Sequence, residues 1–130
     1  MWTVNRRMQM TSFNQNYARL IQTNLNRSTK VNVSVEQFGW QLMGTENRRA
    51  VEDRYRQAFR GAPQYFEVQL TTKAGDLWYE MHLNPILLAD GSIEEVSGIA
   101  RDITPLKRSA QELLKAKEEA ERSLKVKERF

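Results

Sequence analysis

The sequence predicts an α+β domain, with about five antiparallel strands and intervening helices, followed by one long C-terminal helix. Three observations carry this reading. Residues 65–72, 77–88 and 93–103 are runs of strand-forming residues separated by turn residues. Residues 45–59 repeat apolar side chains at helical spacing and stop at Gly61. From Pro105 to Phe130 there is no glycine and no second proline, and good helix formers fill most positions.

Taken in order, Trp2 and Val4, then Met8, Met10 and Ser12, alternate with their neighbours as two short antiparallel strands would. Asn14 is placed to cap a helix that buries Tyr17, Leu20, Ile21 and Leu25, because its side-chain oxygen can accept from the free N–H groups of the first turn. The stretch from Thr29 to Gly44 mixes strand-like alternation (Val31, Val33, Val35) with the bulky residues Phe38, Trp40, Leu42 and Met43; it reads as irregular, with one short helix around Val35 to Leu42. In the helix from Thr45, Val51, Tyr55, Ala58 and Phe59 share one face, while Arg49 with Asp53 and Glu52 with Arg56 form solvated pairs on the other. Gly61 supplies the positive φ that a helix end favours.

Tyr65 to Thr72 alternates cleanly, the turn Lys73-Ala74-Gly75-Asp76 leads to Leu77–Leu88, and Asp90-Gly91 predicts a two-residue hairpin with positive φ at both centres. Pro85 cannot donate to a ladder, so its strand should be bulged or ladder-free there. The last strand ends near Ile103. Thr104 is then expected to cap the long helix, with Pro105 at its first position, where a missing N–H costs nothing. Twenty-six helical residues would make a rod about 39 Å long. Leu106, Ala110, Leu113, Lys117, Ala120, Leu124 and Lys127 alternate steps of four and three, a coiled-coil seam weakened by two lysines. A shifted track ending at Phe130 is no better, which leaves the register open.

Composition narrows the chemistry. The chain has no cysteine, which removes disulfides, thiolate metal sites and a cysteine nucleophile. Its single histidine, His82, cannot build a metal site alone. No segment reaches the roughly 18 apolar residues of a membrane span, so the expectation is a cytoplasmic module without membrane contact, although a longer parent protein can carry spans elsewhere. The net charge of +4 is concentrated in residues 105–130, where eight Lys or Arg face five Glu. The body upstream is close to neutral, which argues against a nucleic-acid partner. There is no phosphate-binding glycine loop and no Ser-His-Asp order, so the fragment is expected to be non-enzymatic.

In this order the elements resemble a PAS domain. The resemblance rests on Phe13-Asn14 with Tyr17, on "RYRQAFRGAPQYFEVQL" with Gly61, on "KAGDLWYEMHLNPI" with Gly75, Trp78 and Pro85, and on "DGSIEEVSGIARDIT", which closes on Asp-Ile-Thr. It implies residues 1–104 as a sensory domain, with helices on one face of a five-stranded sheet, and residues 105–130 as a signalling helix. "AQELLKAKEEAERSLKVKERF" is similar to the linker that joins a PAS domain to the phosphoacceptor helices of a sensor histidine kinase. The resemblance therefore implies a homodimeric sensor and relay with a kinase domain downstream in the same chain.

By the same resemblance, Asp102, Thr104 and Trp78 couple core to helix: Asp102 engages a basic or backbone group, and Thr104 caps; Pro105, which departs from the family's pattern, is expected to stiffen this signal-coupling junction. Phe38, Trp40, Met43, Tyr55 and Phe59 are the candidate ligand pocket, and no cofactor is predicted, although an unidentified small molecule can be accommodated. A cysteinyl-flavin is excluded by the absent thiol, noncovalent flavin stays open, and His82 in a strand speaks against haem. Leu106, Ala110, Leu113, Ala120 and Leu124 form the pairing seam. Rival readings are the same module driving a diguanylate cyclase or transcription regulator, a small-ligand-binding or catalytic α+β domain without a kinase, and an RNA-binding sheet displaying Tyr65 and Tyr79.

Overall fold

The computed structural model of the chain describes the backbone of residues 1–128 and the side chains of residues 1–124. Strands β1 (Trp2–Asn5), β2 (Met10–Phe13), β3 (Gln64–Thr72), β4 (Gly75–Leu87) and β5 (Ile93–Asp102) form one antiparallel sheet in the order β2-β1-β5-β4-β3. Helices α1 (Gln15–Leu25) and α2 (Thr45–Phe59) come between β2 and β3, and α3 (Thr104–Glu128) follows β5. The predicted α+β class and its five strands are present.

Period-two alternation sorts the sheet into two faces. Phe66, Val68 and Leu70 of β3, Met81 and Leu83 of β4, and Val96 of β5 are buried and join Val51, Tyr55, Ala58 and Phe59 of α2 in one core. On the opposite face, Tyr65, His82 and Ile99 lie in register across three strands, as do Glu67, Glu80 and Arg101. Tyr65 and Ile99 remain about half exposed there, at 54% and 46%.

Local signals placed the helix ends. Asn14 Oδ1 accepts from the Tyr17 N–H at 3.1 Å, capping α1. Gly61, at φ +102°, closes α2 with its N–H on the Ala58 carbonyl while Ala62 N–H reaches Gln57, the paired bonds of a Schellman end. Of the two predicted ion pairs on α2, Glu52 and Arg56 approach to 3.5 Å, whereas Asp53 instead accepts from Gln57 at 2.7 Å.

Four expectations are corrected. The segment before α2 holds two 3-10 turns, Val35–Gln37 and Gly39–Leu42, and its valine alternation has a cause: residues 32–35 run beside β2, with Met10 N–H bonded to Val33 O and Val35 N–H to Met8 O. The Asp90-Gly91 turn is a three-residue loop. Leu88 N–H bonds to Ser92 O, only Gly91 has positive φ (+84°), and Asp90 Oδ1 accepts from both Ser92 N–H and Oγ–H. A side chain that closes the turn on itself removes the need for a second left-handed residue.

Pro85 does not interrupt the β4–β5 ladder; it pairs with Val96, and the shift falls between Ile86 and Leu87. Ile103 N–H bonds to Trp78 O, so even-numbered β4 residues aim their backbone groups at β5 and odd-numbered ones at β3. Pro85 therefore faces the β3 side, and β3 ends opposite Leu83, so no ladder bond is lost. Finally, α3 starts at Thr104, with Lys107 N–H on Ile103 O, so Ile103 occupies the cap position and Pro105 is the second helical residue. That position also has no intrahelical N–H bond to lose. Along α3, Leu106, Ala110, Leu113, Ala120 and Leu124 are exposed, while Lys127 and Phe130 lie outside the residues whose side chains are described.

Candidate functional site

Two features occupy opposite sides of β4. On its inner side lies a cavity of about 140 Å³. Tyr79 and Met81 of β4 and Ala100 of β5 line the sheet wall, Tyr55 of α2 and Tyr17 of α1 line the helical wall, and Trp40 and Met43 line the connecting segment. Of the five pocket candidates from sequence, the fold brings Trp40, Met43 and Tyr55 to the cavity. Phe38 and Phe59 are buried in the core outside its lining, Phe59 beneath the Arg6 guanidinium at 5.2 Å.

Trp2 completes the cavity, and periodicity alone gave no hint of it. Its indole N–H donates to Tyr55 Oη at 2.7 Å across 53 residues, and its ring lies 5.3 Å from that of Tyr17. Gly98 makes room: in β5 it pairs with Trp2, and a Cβ there would stand 2.7 Å from the indole nitrogen. Tyr17 Oη in turn accepts from the Gly39 N–H at 3.0 Å, fixing the second 3-10 turn to α1.

Burial raises both phenols, Tyr17 to about 12 and Tyr55 further, so each stays neutral in the fold. Because the folded values lie above the ordinary value near 10, their stabilisation is complete below pH 10 and is lost as pH rises above it. The expected result is a melting midpoint that falls steeply above pH 10 in step with tyrosinate absorbance, and less steeply in Tyr17→Phe. A midpoint flat to pH 12 would contradict the burial of these groups.

Where β4 begins and β5 ends is the helix junction. Trp78 N–H donates to Thr104 Oγ1 at 2.8 Å, and Trp78 O accepts from Ile103 N–H at 2.9 Å. Asp102 Oδ1 accepts from Thr104 N–H at 2.8 Å. Asp102 thus engages a backbone group, the free N–H at the helix start, whereas Thr104, buried, docks the helix on β4 instead of capping it. The hydroxyl meets Trp78 because the Ile103 N–H already donates to Trp78 O and so brings Thr104 over the start of β4. Pro105 is exposed beside them and makes no bond of its own to the sheet.

Sequence reasoning missed two further members. Lys107 Nζ lies 5.0 Å from the centre of the Trp78 ring and 2.7 Å from Glu67 Oε2 on β3. The first turn of α3 therefore touches two strands. Tyr79, next to Trp78 in the chain, faces the cavity and pairs with Asp102; its phenol is raised by burial and then by the Asp102 charge.

His82 sits on the outer face, on the other side of the sheet from the cavity. Its Nε2 is 3.8 Å from Glu80 Oε1 and its ring meets Tyr65 edge-on at 4.8 Å, while Arg101 Nε is 2.9 Å from the same carboxylate. Tyr65 and Tyr79 fall on opposite faces because they differ in register parity, so they form no common stacking platform. Among the described residues, no group of three or more His, Cys, Asp or Glu side chains is placed to hold a metal ion, and no helix is long and apolar enough to cross a membrane.

A family model described as PAS fold matches residues 1–108. The chain belongs to the PAS family. No curated protein matches it. Solved structures share the fold at low identity. The N-terminal domain of a diguanylate cyclase with PAS/PAC sensor from Marinobacter aquaeolei superposes with a TM-score of 0.63 at 18% identity, covering 82% of this chain and 95% of that one. A sensory box histidine kinase/response regulator from Burkholderia thailandensis gives 0.61 at 14%, covering 93% and 88%. The light-state LOV domain of the blue-light photoreceptor Aureochrome1 gives 0.60 at 13%, covering 90% and 89%. In this PAS domain, β4 and β5 contribute both to the wall of the cavity and to the helix junction.

Proposed function

We propose that this PAS domain is a non-enzymatic sensor and relay of a two-component histidine kinase: it converts occupancy of the cavity into a change at the base of α3, which a kinase domain downstream in the same chain reads. One observation carries the proposal. Tyr79 lines the cavity, and the adjacent Trp78 holds both Thr104 and Ile103 at the start of the helix. A displacement of Tyr79 is thus one peptide unit from the helix anchor. Two discrete packings of such a contact are enough for a switch.

The module works as a cytoplasmic homodimer, with α3 helices paired in parallel through Leu106, Ala110, Leu113, Ala120 and Leu124. Exposure of Leu106 (63%) and Leu113 (73%) supports pairing, and Lys117 in the same track makes it weak, so the domain supplies most of the association. Light scattering on the 130-residue chain should give a dimer that persists when residues beyond 113 are removed; a monomer at high concentration counts against pairing. A diguanylate cyclase output is the second reading, favoured by the Marinobacter structure's likeness.

The test of the relay uses a sensor kinase that carries this chain ahead of its phosphoacceptor helices. Asp102→Ala leaves the Thr104 N–H at the helix start without its acceptor, at a cost of about 1 kcal/mol. Autophosphorylation should change several-fold in its basal level or its response to signal. Unchanged basal activity together with an unchanged response would sink the relay.

A further inference from the structure

The cavity carries two polar groups whose bonding is half complete. Tyr55 Oη accepts from Trp2 and Tyr17 Oη accepts from Gly39, yet neither phenol donates its own proton in any hydrogen bond of the described residues. A hydroxyl has one proton to give as well as lone pairs to receive with. Tyr55 is 2% exposed and Tyr17 7%, so these protons cannot turn to bulk water. Both groups line the cavity, and no side chain in its lining carries a charge.

Size limits the occupant. At about 140 Å³, the space is comparable to an engineered cavity of about 150 Å³ that holds benzene. Trp2, Trp40, Leu70 and Met81 give it an apolar wall suited to a flat ring or a short branched chain. Among the lining side chains an anion would find no cation and a cation no carboxylate. The one cationic group there is the α-amino group of Met1, which burial lowers from its ordinary value of 8.0 towards the neutral form, and burying an unpaired charge costs far more than one hydrogen bond returns.

We infer that the cavity binds a neutral, acceptor-bearing molecule of one-ring size, such as an aromatic ketone, aldehyde or ester, whose oxygen takes the protons of Tyr55 and Tyr17. This rests on the sensor reading above and names its ligand class. The acceptor also explains the position of Trp2. By donating to Tyr55 Oη, the indole occupies a lone pair and leaves the phenol's proton directed elsewhere. β1, which carries Trp2, is bonded to β5, so a ligand drawing on Tyr55 perturbs the strand that ends at the junction.

The experiment titrates the intact chain with acetophenone, ethylbenzene and benzoate, reading the indole N–H resonance of Trp2 and the backbone amides of Ile103 and Thr104. Acetophenone should shift the Trp2 signal with saturation. Ethylbenzene, the same size without an acceptor, should bind roughly tenfold more weakly, the worth of about one to two neutral hydrogen bonds. Above pH 8.0, where the Met1 amino group is neutral, benzoate should not bind. Tyr17→Phe, which keeps the Trp2–Tyr55 bond, should weaken acetophenone several-fold and leave ethylbenzene unchanged. Equal binding of acetophenone and ethylbenzene, binding of benzoate above pH 8.0, or no Trp2 shift with any of the three would overturn the ligand class. A Trp2 shift with silent Ile103 and Thr104 amides would leave the ligand class standing and sink the relay.

Discussion

Gly98→Ala is expected to destabilise the domain by about 3 kcal/mol, as overpacking a core commonly does. On an open strand the same change would be neutral or slightly stabilising, since alanine leaves the unfolded chain less freedom. Gly98 has no positive φ to protect, and only the space above it matters. The indole of Trp2 fills that space so closely that an added methyl must expel it. Leaving, Trp2 gives up its bond to Tyr55 and its tilted ring contact with Tyr17. Thermal unfolding should show a fall of roughly 10 °C or more. The double variant with Trp2→Val should recover much of the loss, because the colliding ring is gone; neighbouring sites couple in this way. An unshifted midpoint in the single variant would show that Trp2 does not pack on Gly98.

Thr104→Val should release the base of α3 while the sheet stays folded. Valine matches threonine in shape and removes only the hydroxyl, so the Trp78 N–H at the edge of the core loses its acceptor, a loss of about 1–3 kcal/mol. That cost falls on one contact, so it should appear as local opening before global unfolding. Hydrogen exchange at the Trp78 and Lys107 amides should accelerate by roughly tenfold or more, with the centres of β3 and β4 little changed. Thr104→Ser keeps the hydroxyl and should behave as the parent. Full protection of the Trp78 amide in the valine variant would remove Thr104 from the coupling. Glu67→Gln offers a weaker counterpart: its pair with Lys107 is over a third exposed on both sides, so its loss should cost little in stability.

The contrast between these residues marks how far the amino-acid order could be read directly. The Asn14 cap, the Gly61 stop and the alternation of β3 depend on groups within about four residues, and each was readable before any fold was drawn. The domain-to-rod transition near Thr104 belongs to this class as well, because Pro105 and the glycine-free tail fix it locally. Trp40, Met43 and Tyr55 could be nominated for a pocket as bulky residues at buried spacings. Nothing local separated them from Phe38 and Phe59, which fill core.

The division of labour at the junction could not be read that way. Asp102 and Thr104 are both chemically able to cap a helix, and the choice fell to register: β4 places the Trp78 N–H beside the threonine hydroxyl, leaving the carboxylate for the helix start. Register also set Trp2 over Gly98, Trp2 against Tyr55 across 53 residues, and Glu67 within reach of Lys107. Each of these pairings joins groups far apart in the chain whose meeting costs nothing locally and is indicated by no periodicity. The residues thus specify which elements form and where they stop, whereas the packing of the sheet on its helices selects which polar groups meet, and those meetings make both the cavity and its link to the helix.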